Sequence, residues 1–460
     1  MKKKFLKLFA KGTSIVLLSW GIYSYGCADG WWGAYNSVFS PEATVGKNTY
    51  MPFFYDAENL FYTGDVRSSQ ETFKEENVKD WKNYLVNLAS EETISYYLYD
   101  ESVMKSLISW AKAIENNQSV KLPHALDTKN QKVKNFFMFL TIARGTEQIT
   151  NQTYDYWDYE NRTQLKIESS KISDLEKFYH SISSNDSFYK NRMWFQIMRL
   201  KFYSDDIKQA ITFFEESEKQ QIKNTLYYRG LHYVAGAYKL QGNYVKSNTI
   251  LAQLFDQFPL LQHAAVFEYK PMTDKEVSKL AKTLSASEQS ALWAMQGYYG
   301  NALQAMKEIY AVQPASKHID FLLSRYVNIL ENEVNVYSNT WEPTDMKSVE
   351  EYRKSMKKSL NGTDIQWIQK VTNEGKISNP FLWNVASGYL ASMSADFSKS
   401  TEFYKASQSV AKNKSQKDQL RLLNLINEVV KTDKMDAAAE NRLFADLKWL
   451  YYEVNDVPYG

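Results

Sequence analysis

The chain has 460 residues, of which 55 are Lys or Arg and 53 are Asp or Glu, and a single cysteine. Such balanced charge gives no global attraction to polyanions, which argues against nucleic acid as a partner, and a lone cysteine excludes any disulfide within the chain. The length exceeds one hydrophobic core, so two or three domains or one elongated array must form. With only 17 Gly and 9 Pro, and apolar residues recurring at three- and four-residue spacing, the array is predicted to be helical.

The first residues carry Lys2, Lys3, Lys4, Lys7 and Lys11, then an apolar run through Ile15, Val16, Leu17, Leu18, Trp20 and Ile22. An apolar run of roughly 7 to 15 residues suits an export signal, whereas about 20 are needed to span a bilayer. Gly26-Cys27 resembles the lipobox of bacterial lipoproteins, although Ser24 and Tyr25 depart from its usual residues. The resemblance implies removal of 1–26 and acylation of Cys27 as the new N-terminus. Loss of the five lysines leaves 50 basic against 53 acidic residues, a slightly acidic mature chain. It also implies an outer-membrane location, lipid-anchored, with Asp29 too little to set the periplasmic or surface face.

From Cys27 to residue 75 the chain is rich in aromatic rings, among them Trp31, Trp32, Tyr35, Phe39, Tyr50, Phe53, Phe54, Tyr55, Phe61 and Tyr62. No helical or strand period orders them, and so many rings do not stay in water. Two placements are open: an extended segment packed on the chain's own scaffold, or a docking surface for an envelope partner. In the second, Trp31, Trp32, Tyr35, Phe53 and Phe54 are the candidate docking aromatics.

Region 76–190 reads as helical over 81–119 and 132–146. Between these and the next helices lies YDYWDYENR, 154–162, where Asp155, Asp158 and Glu160 stand among aromatic rings. Paired carboxylates beside stacking rings suit glycoside chemistry, and a polar loop explains them equally.

The clearest internal pattern is 228–259, in which Val234, Ala235, Tyr238, Gly242, Tyr244, Leu251 and Pro259 resemble a tetratricopeptide repeat. A small residue lets two helices approach, Gly242-Asn243 turns the chain and Pro259 stops the second helix. Partial copies begin at 191 (Trp194, Ile197, Met198, the Asp205-Asp206 turn, Ala210, Phe214), at 283 (Ser290, Trp293, Gly297, Tyr299, Ala302, Met306, Pro314) and at 381 (Gly388, the Ala395-Asp396 turn, Phe397, Ser400, Tyr404). Their uneven spacing leaves room for further helices at 274–284 and 316–337. The latter is marked by the stripe Ile319, Leu322, Leu323, Tyr326, Ile329, Leu330 and Val334. Thr273/Glu276 and Ser285/Glu288 read as capping boxes, and Asn379-Pro380 as a helix start. Helices at 416–430 and 437–454 cap the array, the last through Leu443, Leu447, Leu450 and Tyr451.

The expected fold is therefore all-α: an irregular tetratricopeptide-like helical-repeat solenoid with an extended aromatic-rich N-terminal segment. Its expected divisions are 1–26, 27–75, 76–190, 191–411 and 412–460.

For function, the resemblance implies a concave groove lined by Arg192, Phe195, Arg199 and Phe202 from one first helix and by Arg229, His232, Gly236 and Lys239 from the next. Cations beside rings suit an acidic peptide or a terminal carboxylate. His124, His180, His232, His263 and His318 show no ligand spacing, and no nucleophile elbow, P-loop or dinucleotide loop appears, so no catalytic residue, metal or cofactor is expected. The leading expectation is a noncatalytic outer-membrane lipoprotein scaffolding an envelope complex, held to the membrane by acylated Cys27. The alternative is glycan capture, similar in architecture to SusD-like nutrient-binding lipoproteins, though their Arg-Ala helix motif and Gly-x-Pro turn are absent here. A helical glycan-cleaving enzyme ranks last.

Overall fold

The computed structural model describes residues 37–46, 50, 53, 69–115, 121–150, 165–337, 349–358 and 360–454. The export signal, Cys27, Trp31, Trp32, Tyr35, Phe54 and the 154–162 motif lie outside the described residues. Among the described residues every regular element is helical, and β pairing is confined to an isolated bridge between Ile167 and Ser204. The protein is all-α.

Two compact units divide the chain. Described residues of the first lie within 69–237, and those of the second within 37–53 and 238–454. The division falls inside the helix Thr225–Leu240, so the expected block 191–411 is shared between units rather than forming one body. Residues 37–53, expected within a separate 27–75 segment, group with the second unit because their rings are buried in it.

The first unit contains α1 (Ser69–Leu85), α2 (Glu91–Tyr99), α3 (Val103–Glu115), α4 (Gln131–Gly145), α5 (Ser169–Ser181), α6 (Ser187–Phe202), α7 (Lys208–Ser217) and most of α8 (Thr225–Leu240). Of the stretch 81–119, which reads as helical, the described residues 81–115 fall in three helices, the end of α1 and the whole of α2 and α3. Val86 adopts a φ of 49°, Ser90 accepts the Thr93 amide to start α2, and Asp100 accepts the Ser102 amide at 2.8 Å beyond its end. Short polar side chains that bond nearby amides compete with helix continuation. The core centres on Trp81, whose ring lies 4.7 Å from Phe136, 4.9 Å from Phe139 and 5.0 Å from Phe188.

The second unit begins its helical run with α9 (Tyr244–Gln257), α10 (Gln262–Glu268), α11 (Asp274–Ala281), α12 (Ala286–Tyr299), α13 (Ala302–Val312) and α14 (Lys317–Tyr337). It continues through α15 (Val349–Lys358), α16 (Gly362–Glu374), α17 (Pro380–Met393), α18 (Phe397–Val410), α19 (Lys414–Lys431) and α20 (Ala437–Trp449). Both capping boxes form: Glu276 accepts the Thr273 amide at 2.9 Å and Glu288 the Ser285 amide at 3.0 Å. Asn379 caps α17 by accepting the Leu382 amide at 3.1 Å.

Glycine sets how closely consecutive helices approach. A Cβ at Gly297 would sit 2.6 Å from that of Ala305, and one at Gly388 would sit 2.6 Å from the Tyr404 ring. At the C-terminus the buried face of α20 runs through Ala439, Leu443 and Trp449. Leu447 and Tyr451, expected to dock with Leu443, are exposed: Leu447 continues the row of Ala439 and Leu443, but packing covers that row only as far as Leu443, and the chain passes into a π turn at Leu450–Val454. No described helix is long and apolar enough to cross a membrane.

Candidate functional site

Among the described residues a dense set of long-range polar contacts lies in the second unit, where side chains hold an N-terminal strap of the same chain, residues 37–46, 50 and 53, which includes one helical turn at Pro41–Thr44. Glu331 of α14 accepts the Val38 amide at 3.0 Å and the Ser37 hydroxyl, while Asn328, one turn earlier, donates to the Phe39 carbonyl at 2.8 Å. Gln419 of α19 accepts the Ser40 amide at 3.0 Å and donates to the Val38 carbonyl at 2.7 Å. Asn379 donates to the Thr44 carbonyl at 2.8 Å, and Arg325 to the Phe53 carbonyl at 3.2 Å. A single helical turn at Pro41–Thr44, capped by Ser40, satisfies only a few of this segment's backbone groups, and amide, carboxylate and guanidinium side chains supply partners for others.

Three rings lock this strap. Phe39 stacks on Tyr389 at 6.0 Å, Tyr50 on Phe321 at 5.1 Å, and Phe53 sits about 6 Å from Phe255, His263, Tyr298 and Phe321. Phe39 and Phe53 are 0 % exposed. Phe53 is therefore not a docking aromatic: its ring belongs to its own core, where full burial stabilises by roughly 1.5 to 3 kcal/mol. Tyr389 also donates to Glu331 at 2.6 Å, and burial pushes that carboxyl above its ordinary value despite the hydrogen bonds it accepts.

Beneath the strap lies a closed polar relay. Tyr50 meets His318 Nδ1 at 2.9 Å, and His318 Nε2 meets Asp256 at 3.1 Å. Ser287 donates to the same Asp256 oxygen at 2.6 Å. Burial pushes the His318 imidazole down, favouring the neutral ring with Nε2–H donating to Asp256 and Nδ1 accepting from Tyr50. The order resembles an acid–histidine–hydroxyl array, but His318 is 1 % exposed, so no substrate atom reaches it. Nearby on α14, Asp320 accepts Trp383 Nε1 at 2.9 Å and Ser378 Oγ at 2.8 Å, and burial raises its carboxyl to about 6.

In the first unit the structure brings together most of the residues expected to line a groove. Arg192 ion-pairs with Asp80, donates to Asn77 at 3.2 Å and lies 4.7 Å over the Phe188 ring. Arg199 donates to Thr150 and, at 3.0 Å, to Gln196. The Arg229 guanidinium lies 4.7 Å over Phe73 and 4.8 Å over Phe195. Phe202 packs 5.0 Å from Tyr233, and His232 is half-buried.

This face is not the open concave groove that the repeat resemblance implies. Helix α1 lies against it, contributing Phe73, Asn77 and Asp80, and Arg192 and Phe195 are only 2 % and 3 % exposed. Lys239 falls in the second unit, where it donates to the Glu268 carbonyl at 3.0 Å. Repeat spacing counts positions on paired helices and says nothing of a helix far upstream in sequence that returns to cover them.

Sequence reasoning missed the clamp residues Asn328, Glu331, Asn379 and Gln419. A signal did exist: Asn328 and Glu331 sit inside the apolar run of α14, at the edge of the stripe that ends on Val334, and a buried carboxylate there demands partners. Elsewhere in the second unit, an open cleft of about 440 Å³ is bordered by Arg421 and Asp446, which pair with each other at 2.7 Å. Among the described residues no group of three or more His, Cys, Asp or Glu side chains is placed to hold a metal ion. No family model matches the chain, and no curated protein or solved structure shows significant similarity to it.

Proposed function

We propose that the protein is a noncatalytic outer-membrane lipoprotein, anchored through acylated Cys27, whose irregular tetratricopeptide-like helical body scaffolds an envelope complex. The observation that carries this reading is the clamped strap of residues 37–46, 50 and 53: five side chains, from α14, the N-cap of α17 and α19, hold its backbone. Nine residues lie between Cys27 and Ser37, ten Cα steps with a reach of at most roughly 36 Å when fully extended, so an acyl chain at Cys27 would hold the second unit close to the bilayer surface. A firmly seated tether suits a protein that must present surfaces at a fixed height. Helices occupy each of the four repeat copies, at Ser187–Phe202 with Lys208–Ser217, Thr225–Leu240 with Tyr244–Gln257, Ala286–Tyr299 with Ala302–Val312, and Pro380–Met393 with Phe397–Val410, which supports the repeat reading. The His318–Asp256 relay is enclosed and engaged by the strap, which fits a binding role better than a catalytic one.

Cys27→Ser tests the anchor. The expected outcome is transfer of the protein from the membrane pellet to the soluble fraction, with a diacylated N-terminal cysteine found by mass spectrometry only in the parent protein. An unmodified mature terminus sinks the anchor. Pull-down from detergent-solubilised membranes tests the scaffold: a stoichiometric envelope partner is expected, whereas retention on polysaccharide gel with no protein partner favours glycan capture instead.

A further inference from the structure

We propose that the first unit contains a built oxyanion site, in which Arg229 binds one carboxylate or phosphate group with Arg192 and Arg199 beside it. The inference does not depend on the lipid anchor. Arg229 is half-buried, over two phenyl faces, and makes no hydrogen bond or ion pair with another described residue. A guanidinium carries five N–H donors in a rigid fork, and leaving them unmet in a desolvated place is costly. Burial pushes its proton affinity down, and the nearby Arg199 and Arg192 push it further, while the hydroxyls of Tyr233 and Tyr99 oppose this.

Among the described residues the surroundings are short of negative charge. Arg199 bonds only neutral groups, Thr150 and Gln196, among the described residues. Arg192 has Asp80, and its fully buried Nε has no acceptor among the described residues. Among the described residues the carboxylates acting on Arg192 are Asp80 and Glu76, the latter also accepting the Thr225 hydroxyl. Among the described residues three guanidinium groups stand against two carboxylates, an excess of one positive charge that a single monoanion neutralises. The rings of Phe73 and Phe195 restrict the guanidinium faces and leave its edge for a bidentate acceptor, the geometry carboxylate and phosphate share. Because α1 covers the face, the site fits one anionic group rather than an extended peptide lying along it.

The test uses the full chain, with sodium acetate, inorganic phosphate and matched sodium chloride as probes in thermal-shift and calorimetric titrations. Acetate or phosphate is expected to raise the melting temperature saturably by several degrees above the chloride control, and Arg229→Met to abolish that rise. In chloride alone the Met variant is expected to melt at or above the parent, because an unpaired desolvated charge has been removed. A merely structural arginine would instead lower melting in every buffer. Arg199→Gln serves as a second variant, with anion affinity reduced at least tenfold and helicity unchanged. A short peptide with a free terminal carboxylate, compared with its amide, distinguishes a partner's chain end from a free anion, and either result supports the site. No saturable shift with any probe, or an equal shift in the parent and Arg229→Met, overturns it.

Discussion

Gly388 shows how much a single hydrogen matters in this protein. It sits in α17, and its missing side chain is the space into which Tyr404 of α18 fits. An alanine Cβ there would meet ring carbons of a fully buried tyrosine at 2.6 Å, so the helices must separate or the ring must leave its seat. Overpacking of this kind costs about 1 to 3 kcal/mol, and Gly388→Ala is expected to lower the melting temperature by several degrees in calorimetry. Gly388 was legible as a small repeat position. So were the caps at Thr273, Ser285 and Asn379, because each acts on amides two or three residues away. The environment of Arg229 was not legible, because Phe73 lies far upstream in the sequence.

At the scale of elements, α11 lies within 274–284, and α14 spans Lys317–Tyr337 where its apolar stripe places it, whereas α15 and α16 carry no stripe that the sequence reading picked out. The strap behaves differently. Its aromatic residues have no period, and its fold comes from side chains of helices nearly three hundred or more residues downstream. Removing one clamp leaves a buried carbonyl without its donor, at about 1 to 3 kcal/mol. Asn328→Ala is therefore expected to lower stability by that amount and to speed proteolytic cleavage within 37–53, read by mass spectrometry of the fragments. Stability loss with no change in strap cleavage would show that Asn328 supports α14 instead. The ladder on α20 is covered only in part. Spacing gave a face, but only packing shows which part of that face is covered, and Leu447 and Tyr451 lie outside it.

For the whole molecule, the buried carboxyls of the second unit make stability depend on pH. Asp320 is raised to about 6 from 3.8 by burial, so the folded state binds its proton more tightly than the unfolded chain does. Stability from this group is present below about 3.8, falls as pH rises through about 6, and is then constant, a change of roughly 3 kcal/mol. Glu331 shifts in the same direction and adds to the slope, whereas Asp256 lies below its ordinary value and opposes it. Asp320→Asn, which still accepts from Trp383, is expected to flatten the fall between pH 4 and 6 in calorimetric melting, and an unchanged slope would show that Asp320 titrates normally.

The sequence by itself determined the all-α class, the bounds of several helices, such as 132–146, 316–337 and 416–430, and the caps at Thr273, Ser285 and Asn379. These follow from periodicity and from hydrogen bonds within one or two turns. Only the tertiary structure decided that Phe53 belongs to the core, that α1 closes over the arginines, and that the 191–411 stretch is divided between two units. Those outcomes depend on which apolar faces and unmet polar groups find each other across long stretches of chain, and local spacing does not encode that pairing.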